Sequence, residues 1–132
     1  MIDHWSFDLP FRKPPAGLSL NDRDHWGTRS ANTALVRHMV FVKTRAAHVP
    51  GLERIRVDVV WVVCTHHTRD TDNLAPFLKA IYDGIGSDRG LSARIVEDDA
   101  PEWMLKSAAT IRYAKHELAR FTVTITDLGG AL

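Results

Sequence analysis

The spacing of apolar residues changes repeatedly along the chain, and each change marks an element. A short strand is expected over Trp5–Leu9, cut off by Pro10, after which the prolines and glycine of FRKPPAG forbid regular structure. LSLNDRDHWGTRS, dense in Asn, Asp, Ser and Gly, reads as a functional loop or turn. From Ser30, a fitting N-cap, to His48, the residues Leu35, Met39 and Val42 recur near the helical period. That spacing predicts a helix with Arg37, Lys43 and Arg45 on its exposed face, ended by Pro50 and Gly51. Arg54–Cys64 then alternates through Ile55, Val57, Val59 and Trp61 before becoming continuously apolar, as a central strand does.

After the turn RDTDN, helical spacing returns in Leu74, Phe77, Leu78, Ile81 and Ile85, with Gly84 and Gly86 where the helix weakens and stops. This second helix is expected over Asn73–Ile85. SDRGLSARIVEDDAPE is a connection containing an apolar RIV segment, and two further strands are expected over Met104–Tyr113 and Arg120–Thr126, joined through AKHEL. The order strand, helix, strand, helix, strand, strand predicts a single α+β domain over residues 1–132, with a small mixed sheet and both helices on one face. The tail Leu128–Leu132 is expected to fray.

Composition narrows the function classes. The chain has 132 residues, enough for one domain with a real core and too few to suggest two. No apolar run approaches the roughly 18 to 20 residues that span a bilayer. MIDHWSFDLPFRKPP carries acids and aromatics where a secretory signal needs a basic start and an unbroken apolar segment, so a cytoplasmic protein is expected. The single cysteine, Cys64, excludes an internal disulfide and reads as a small buried hydrophobe. A net charge of +1 conceals an uneven distribution, since residues 1–56 hold nine Lys and Arg against five Asp and Glu, and the remainder eight against eleven. Cations that hold phosphates beside carboxylates that hold a metal would suit an enzyme acting on a polyanion, although chance gives such asymmetry too.

The acidic residues form two groups. Asp70 and Asp72 flank Thr71 directly after the most apolar run of the chain, and carboxylates that close repel unless a cation or hydrogen bonds compensate. Pro76 belongs in the first turn of a helix, which sets the N-cap near Asn73 and leaves RDTD extended. In an extended segment residues i and i+2 face the same way, roughly 6 to 7 Å apart, so the two carboxylates can converge on one hard cation such as Mg²⁺. The plainer alternative makes Asp72 a helix cap and Asp70 a solvated turn residue. VEDDAPE supplies the second group, Glu97, Asp98 and Asp99, at the end of the RIV segment, and two such groups at the edges of core segments point to a shared site. His66 and His67 face opposite ways on an extended segment and lack a third soft ligand, so no zinc site is expected.

DTDNLAPFLKAIYDG followed after a glycine-containing connection by DD resembles the RusA family of Holliday junction resolvases, especially its phage and prophage versions. NDRDHW is similar to that family's Asn/Arg/His-rich loop, and the order of expected elements agrees from Trp5 to Asp127. The resemblance implies a dimeric α+β endonuclease that binds four-way DNA junctions and cuts two strands symmetrically with Mg²⁺, or Mn²⁺ in its place. Matched by position, the metal-binding acids fall on Asp70, Asp72 and Asp99, with Asp98 as a close fourth. Where the best-known form of the family has an essential lysine, this chain has Pro76, and Lys79 is the candidate replacement; it alternatively pairs with Asp83 as an exposed helix residue.

Arg23, His25, Trp26 and Arg29, with Arg69 and Asn73 beside the acidic pair, form the expected DNA-contacting set, reaching phosphates or stacking on an unpaired base. Trp26 alternatively anchors the core. Two other functions stay open at this point: a noncatalytic branched-DNA binder that lost turnover with the change at Pro76, and a less selective nuclease for flaps, branched DNA or RNA.

Overall fold

Alternation in the longest strand determines how the layers form. In the computed structural model, which describes residues 3–129, strand β2 (Ile55–Val63) buries Ile55, Val57, Val59 and Trp61 on one face and turns Arg56 and Asp58 to the other. Those two charges pair across that open face at 2.9 Å. From Trp61 onward every β2 residue is buried. Val62 lies in register between Arg112 and Arg120, and Glu117 bonds both guanidiniums, so the apolar stems of an ion-paired triad flank it.

The remaining elements are β1 (His4–Leu9), α1 (Trp26–Ala46), α2 (Ala75–Gly86) preceded by a 3-10 turn Thr71–Leu74, β3 (Met104–Lys106), β4 (Thr110–Tyr113) and β5 (Arg120–Asp127). The mixed five-stranded sheet has the order β1-β5-β2, with β3 and β4 both pairing along the far edge of β2. β5 runs antiparallel to β1 and β2, whereas β3 and β4 are parallel to β2. The α+β architecture is therefore the one expected, with β2 central. The helix-bearing face buries Phe7 and Leu9 of β1 and Phe121, Val123 and Ile125 of β5. Its opposite face is polar along β1 and β5, where Ser6 and Thr124 share a hydrogen bond of 2.8 Å and the Thr122 hydroxyl donates to Asp8 at 2.8 Å.

Helix α2 is the hinge between core and site. Phe77 is fully buried and packs its ring against Phe121, with centroids 4.5 Å apart, and edge-on against Phe11 at 6.0 Å. At the other end a Cβ on Gly84 would lie 2.9 Å from the carbonyl oxygen of Arg37 and from Cβ of Val40, so glycine is what permits α1 to pack this closely. The RIV connection is not a solvent loop. Ala93, Ile95 and Val96 are buried, and the N–H groups of Ala93 and Ile95 donate to the carbonyls of Gly84 and Ile85 at the end of α2.

Several expectations from the sequence need correction. Helix α1 begins at Trp26 rather than after Ser30, because the His25 Nδ1 accepts from the Gly27 N–H at 3.0 Å and caps it. The buried stripe of α1 is Val36, Val40 and Thr44; Leu35 and Val42 are exposed. Thr44 is tolerated there because its hydroxyl donates to the Val40 carbonyl at 2.7 Å. Finally, the strand expected over Met104–Tyr113 is two strands, interrupted at residues 107–109. Cys64 is half-buried rather than buried, and residues 130–132 of the expected fraying tail lie outside the described residues. Among the described residues no helix is long and apolar enough to cross a membrane.

Candidate nucleic-acid and metal site

The acidic pair sits where β2 hands over to α2. Asp70 has extended backbone, φ −113 and ψ 113, and its carboxylate accepts from the Asp72 N–H at 2.9 Å. Asp70 is thus the cap of the 3-10 turn, and the whole of Thr71–Leu74 is turned rather than extended. The simple extended-strand reason for Asp70 and Asp72 to face the same way does not hold. The cap ties the Asp70 side chain to the Asp72 backbone, and both residues remain exposed at the turn that leads into α2. Their charge lies where the helix dipole favours anions.

The segment before Asp70 is held by Arg69. Its guanidinium donates to the carbonyls of Thr65 at 2.9 Å and His67 at 3.1 Å and to the Thr65 hydroxyl at 2.9 Å, and it lies 5.5 Å above the Trp61 ring. Trp61 is itself stacked on Phe121 from the core side. Arg69 therefore fixes the loop that delivers Asp70.

The second acidic group is engaged elsewhere. Asp99 accepts from Lys106 at 3.4 Å and lies 3.6 Å from Lys79, which also bonds Asp83 at 3.0 Å; Arg37 of α1 approaches Asp83 at 3.9 Å. An alternating row of charges, Arg37, Asp83, Lys79, Asp99 and Lys106, thus ties α1, α2, the 97–99 loop and β3 together. Asp98 accepts weakly from the Asp88 N–H at 3.4 Å. Burial pushes the Asp99 carboxyl up, but Lys106 and Lys79 outweigh it and hold it below the ordinary carboxylate range. The Lys79 ammonium is pushed up by its hydrogen bond to Asp83, against the opposing effect of burial.

Because the folded Asp99 value is depressed, its stabilising contribution is complete above the unfolded carboxylate value of about 3.9 and vanishes as pH falls through the lower folded value. Thermal melts of wild type and Asp99→Asn should therefore differ at neutral pH and converge in acid; a constant difference would show that the ion pairs are not its source.

The expected convergence of both acidic groups does not occur in this structure: among the described residues no three His, Cys, Asp or Glu side chains come together as a metal-holding group. Asp99 is held beside Lys79 on α2. The donor chemistry of Asp70 and Asp72 still fits a hard divalent cation of the kind held by two carboxylates plus substrate phosphate. Asp98 and Asp99 do not join that pair here.

The NDRDHW segment lies beside the pair. The Leu20 N–H donates to the Asn73 carbonyl at 3.0 Å, and Asp22 braces the loop by accepting from Gly17 and Ser19 at 2.8 and 3.2 Å. Gly17 has φ +86 and packs on Arg29, a place where a side chain would be both strained and obstructed. Trp26 is 75 % exposed, which rules out the core anchor, and it lines a groove of about 490 Å³ with Arg29, Arg37 and Pro76. Arg23 and His25 are exposed, although His25 Nδ1 is occupied as the α1 cap.

On the other side of Asp70, two features carry little weight in the sequence alone. Arg12 and Lys13 line a cleft with His67 and Arg69, and a smaller hollow containing Asp70 and Asn73 shares Trp61, Thr68 and Arg69 with it. The adjacent basic pair in FRKPP was the available signal. Lys106 had none, because its tie to Asp99 depends on how β3 pairs with β2. The chain matches no protein-family model, and comparison with curated proteins returns no match.

Proposed function

We propose that the protein is a divalent-metal-dependent endonuclease that acts on four-way DNA junctions as a homodimer. The observation that carries this reading is the exposed pair Asp70 and Asp72 on a braced turn whose Asn73 carbonyl accepts from Leu20, the residue that leads into the loop carrying Arg23, His25 and Trp26. Bound by that pair, Mg²⁺ or Mn²⁺ would supply an activated water and neutralise charge on the phosphoryl oxygens. The chain's own part is positional. Arg69 fixes the approach to Asp70, the Asp70 cap fixes Asp72, and the exposed Trp26 ring offers a stacking surface to an unpaired base at the junction centre. Arg23 and Arg29 act on backbone phosphates.

A junction presents two equivalent scissile strands, which a two-fold dimer would meet with one site each. End-labelled junction, flap, duplex and hairpin RNA substrates test the assignment. Paired symmetric nicks confined to the junction are expected, whereas equal rates on all four substrates would replace it with a general nuclease. Sedimentation of the protein with junction DNA should show two chains; monomers alone would count against symmetric cutting.

One observation favours a second reading, a noncatalytic binder of branched DNA. Asp99 is tied up by Lys79 and Lys106, leaving two carboxylates where the resemblance implies three. Junction binding without cleavage in either metal would select it.

A further inference from the structure

The cleft beside the acidic pair has its own chemistry. It encloses about 550 Å³, within the range of roughly 300–1,000 Å³ typical of small-molecule sites. Trp61, Val63, Cys64 and Ala119 supply its apolar floor, and Arg12, Lys13 and His67 line it with them. Arg12 and Lys13 are exposed, and among the described residues no carboxylate lies within the 4.0 Å of an ion pair to either. Two uncompensated cations above an apolar floor match a ligand with a flat apolar body and an anionic backbone.

The cleft is also built rather than incidental. Trp61 Nε1 donates to the Arg12 carbonyl at 3.0 Å, which pins the Arg12–Lys13 wall to β2, and Arg69 braces the opposite wall through Thr65 and His67. Its far end opens, past Thr68 and Arg69, into the hollow that contains Asp70 and Asn73.

We propose that this cleft is a binding subsite for a single nucleic-acid strand, with backbone phosphates at Arg12 and Lys13 and a base over Val63, and that it leads the strand to Asp70. The proposal rests on the nuclease reading only for the direction of the strand; the binding itself needs neither metal nor turnover.

The test measures fluorescence anisotropy of a labelled oligothymidylate in EDTA across a salt series. Wild type is compared with Arg12→Ser/Lys13→Ser, and with Arg45→Ser on the far end of α1 as a control. Losing two phosphate contacts should weaken binding about tenfold or more at low salt and lower the salt slope by about 1.4, with Arg45→Ser unchanged. Melting curves check that the double variant is folded, as expected for two exposed side chains. Wild-type binding that the folded double variant retains at full strength would overturn the subsite while leaving the nuclease reading intact. Absence of any wild-type binding to the single strand would overturn it as well. Weakened binding by the double variant together with no cleavage of any substrate by wild type would uphold the subsite and sink the nuclease reading, so the two fail separately.

Discussion

Asp70→Asn and Asp72→Asn should each reduce junction cleavage by about a hundred- to a thousandfold while leaving junction binding and folding nearly unchanged. Charge stabilisation by a held metal contributes several kcal/mol to such a reaction, and each 1.36 kcal/mol is a factor of ten in rate. Asparagine isolates that contribution. At position 70 its side-chain oxygen can still accept from the Asp72 N–H, and Asn is as good a cap as Asp, so the turn survives. At position 72 the variant loses an exposed charge in the 3-10 turn that leads into α2, worth up to about 0.3–1 kcal/mol. Single-turnover cleavage of a labelled junction, with binding measured separately in EDTA, gives both quantities. Loss of binding in proportion to cleavage would instead make the acids structural.

The largest effect on stability is expected from Phe77→Ala, at about 3–5 kcal/mol and a fall in Tm of about 10–20 °C. Phe77 is fully buried, meets both Phe11 and Phe121, and lies three residues beyond the turn that carries Asp72. Its loss leaves a cavity between α2 and β5 that neither the sheet nor the Gly84 contact on α1 can close by a small shift. Phe77→Leu retains most of the volume and should cost substantially less. Urea denaturation of the three proteins measures the difference, and equal midpoints would show that the α2 anchor lies elsewhere.

Local periodicity carried most of the fold and little of the site. β2 and α2 were legible because their apolar residues are dense and keep one period, and the sheet and helices follow from burying them. The packing stripe of α1 is hard to see because it is Val36, Val40 and Thr44, and a buried threonine looks polar in a sequence although its hydroxyl is satisfied by Val40. Its start was missed because histidine is not an expected cap. At the site, the acids were found by their clustering. What they do depends on partners far away in the chain: Lys106 on β3 holds Asp99, and the Leu20 to Asn73 bond sets the NDRDHW loop beside the pair. Neither contact has a local signal. Arg69 adjoins the acids in sequence, whereas its bonds to Thr65 and His67, which fix the loop, show only in the fold.

The central claim is that Asp70 and Asp72 hold the metal of a junction endonuclease. It is tested most directly by incubating end-labelled four-way junctions with wild type in Mg²⁺, Mn²⁺ or EDTA and with Asp72→Asn in Mg²⁺. Paired symmetric nicks from wild type in either metal, absent with EDTA and with Asp72→Asn, are the predicted result. Undiminished nicking in EDTA or by Asp72→Asn, or junction binding with no nicking by wild type in either metal, would contradict it.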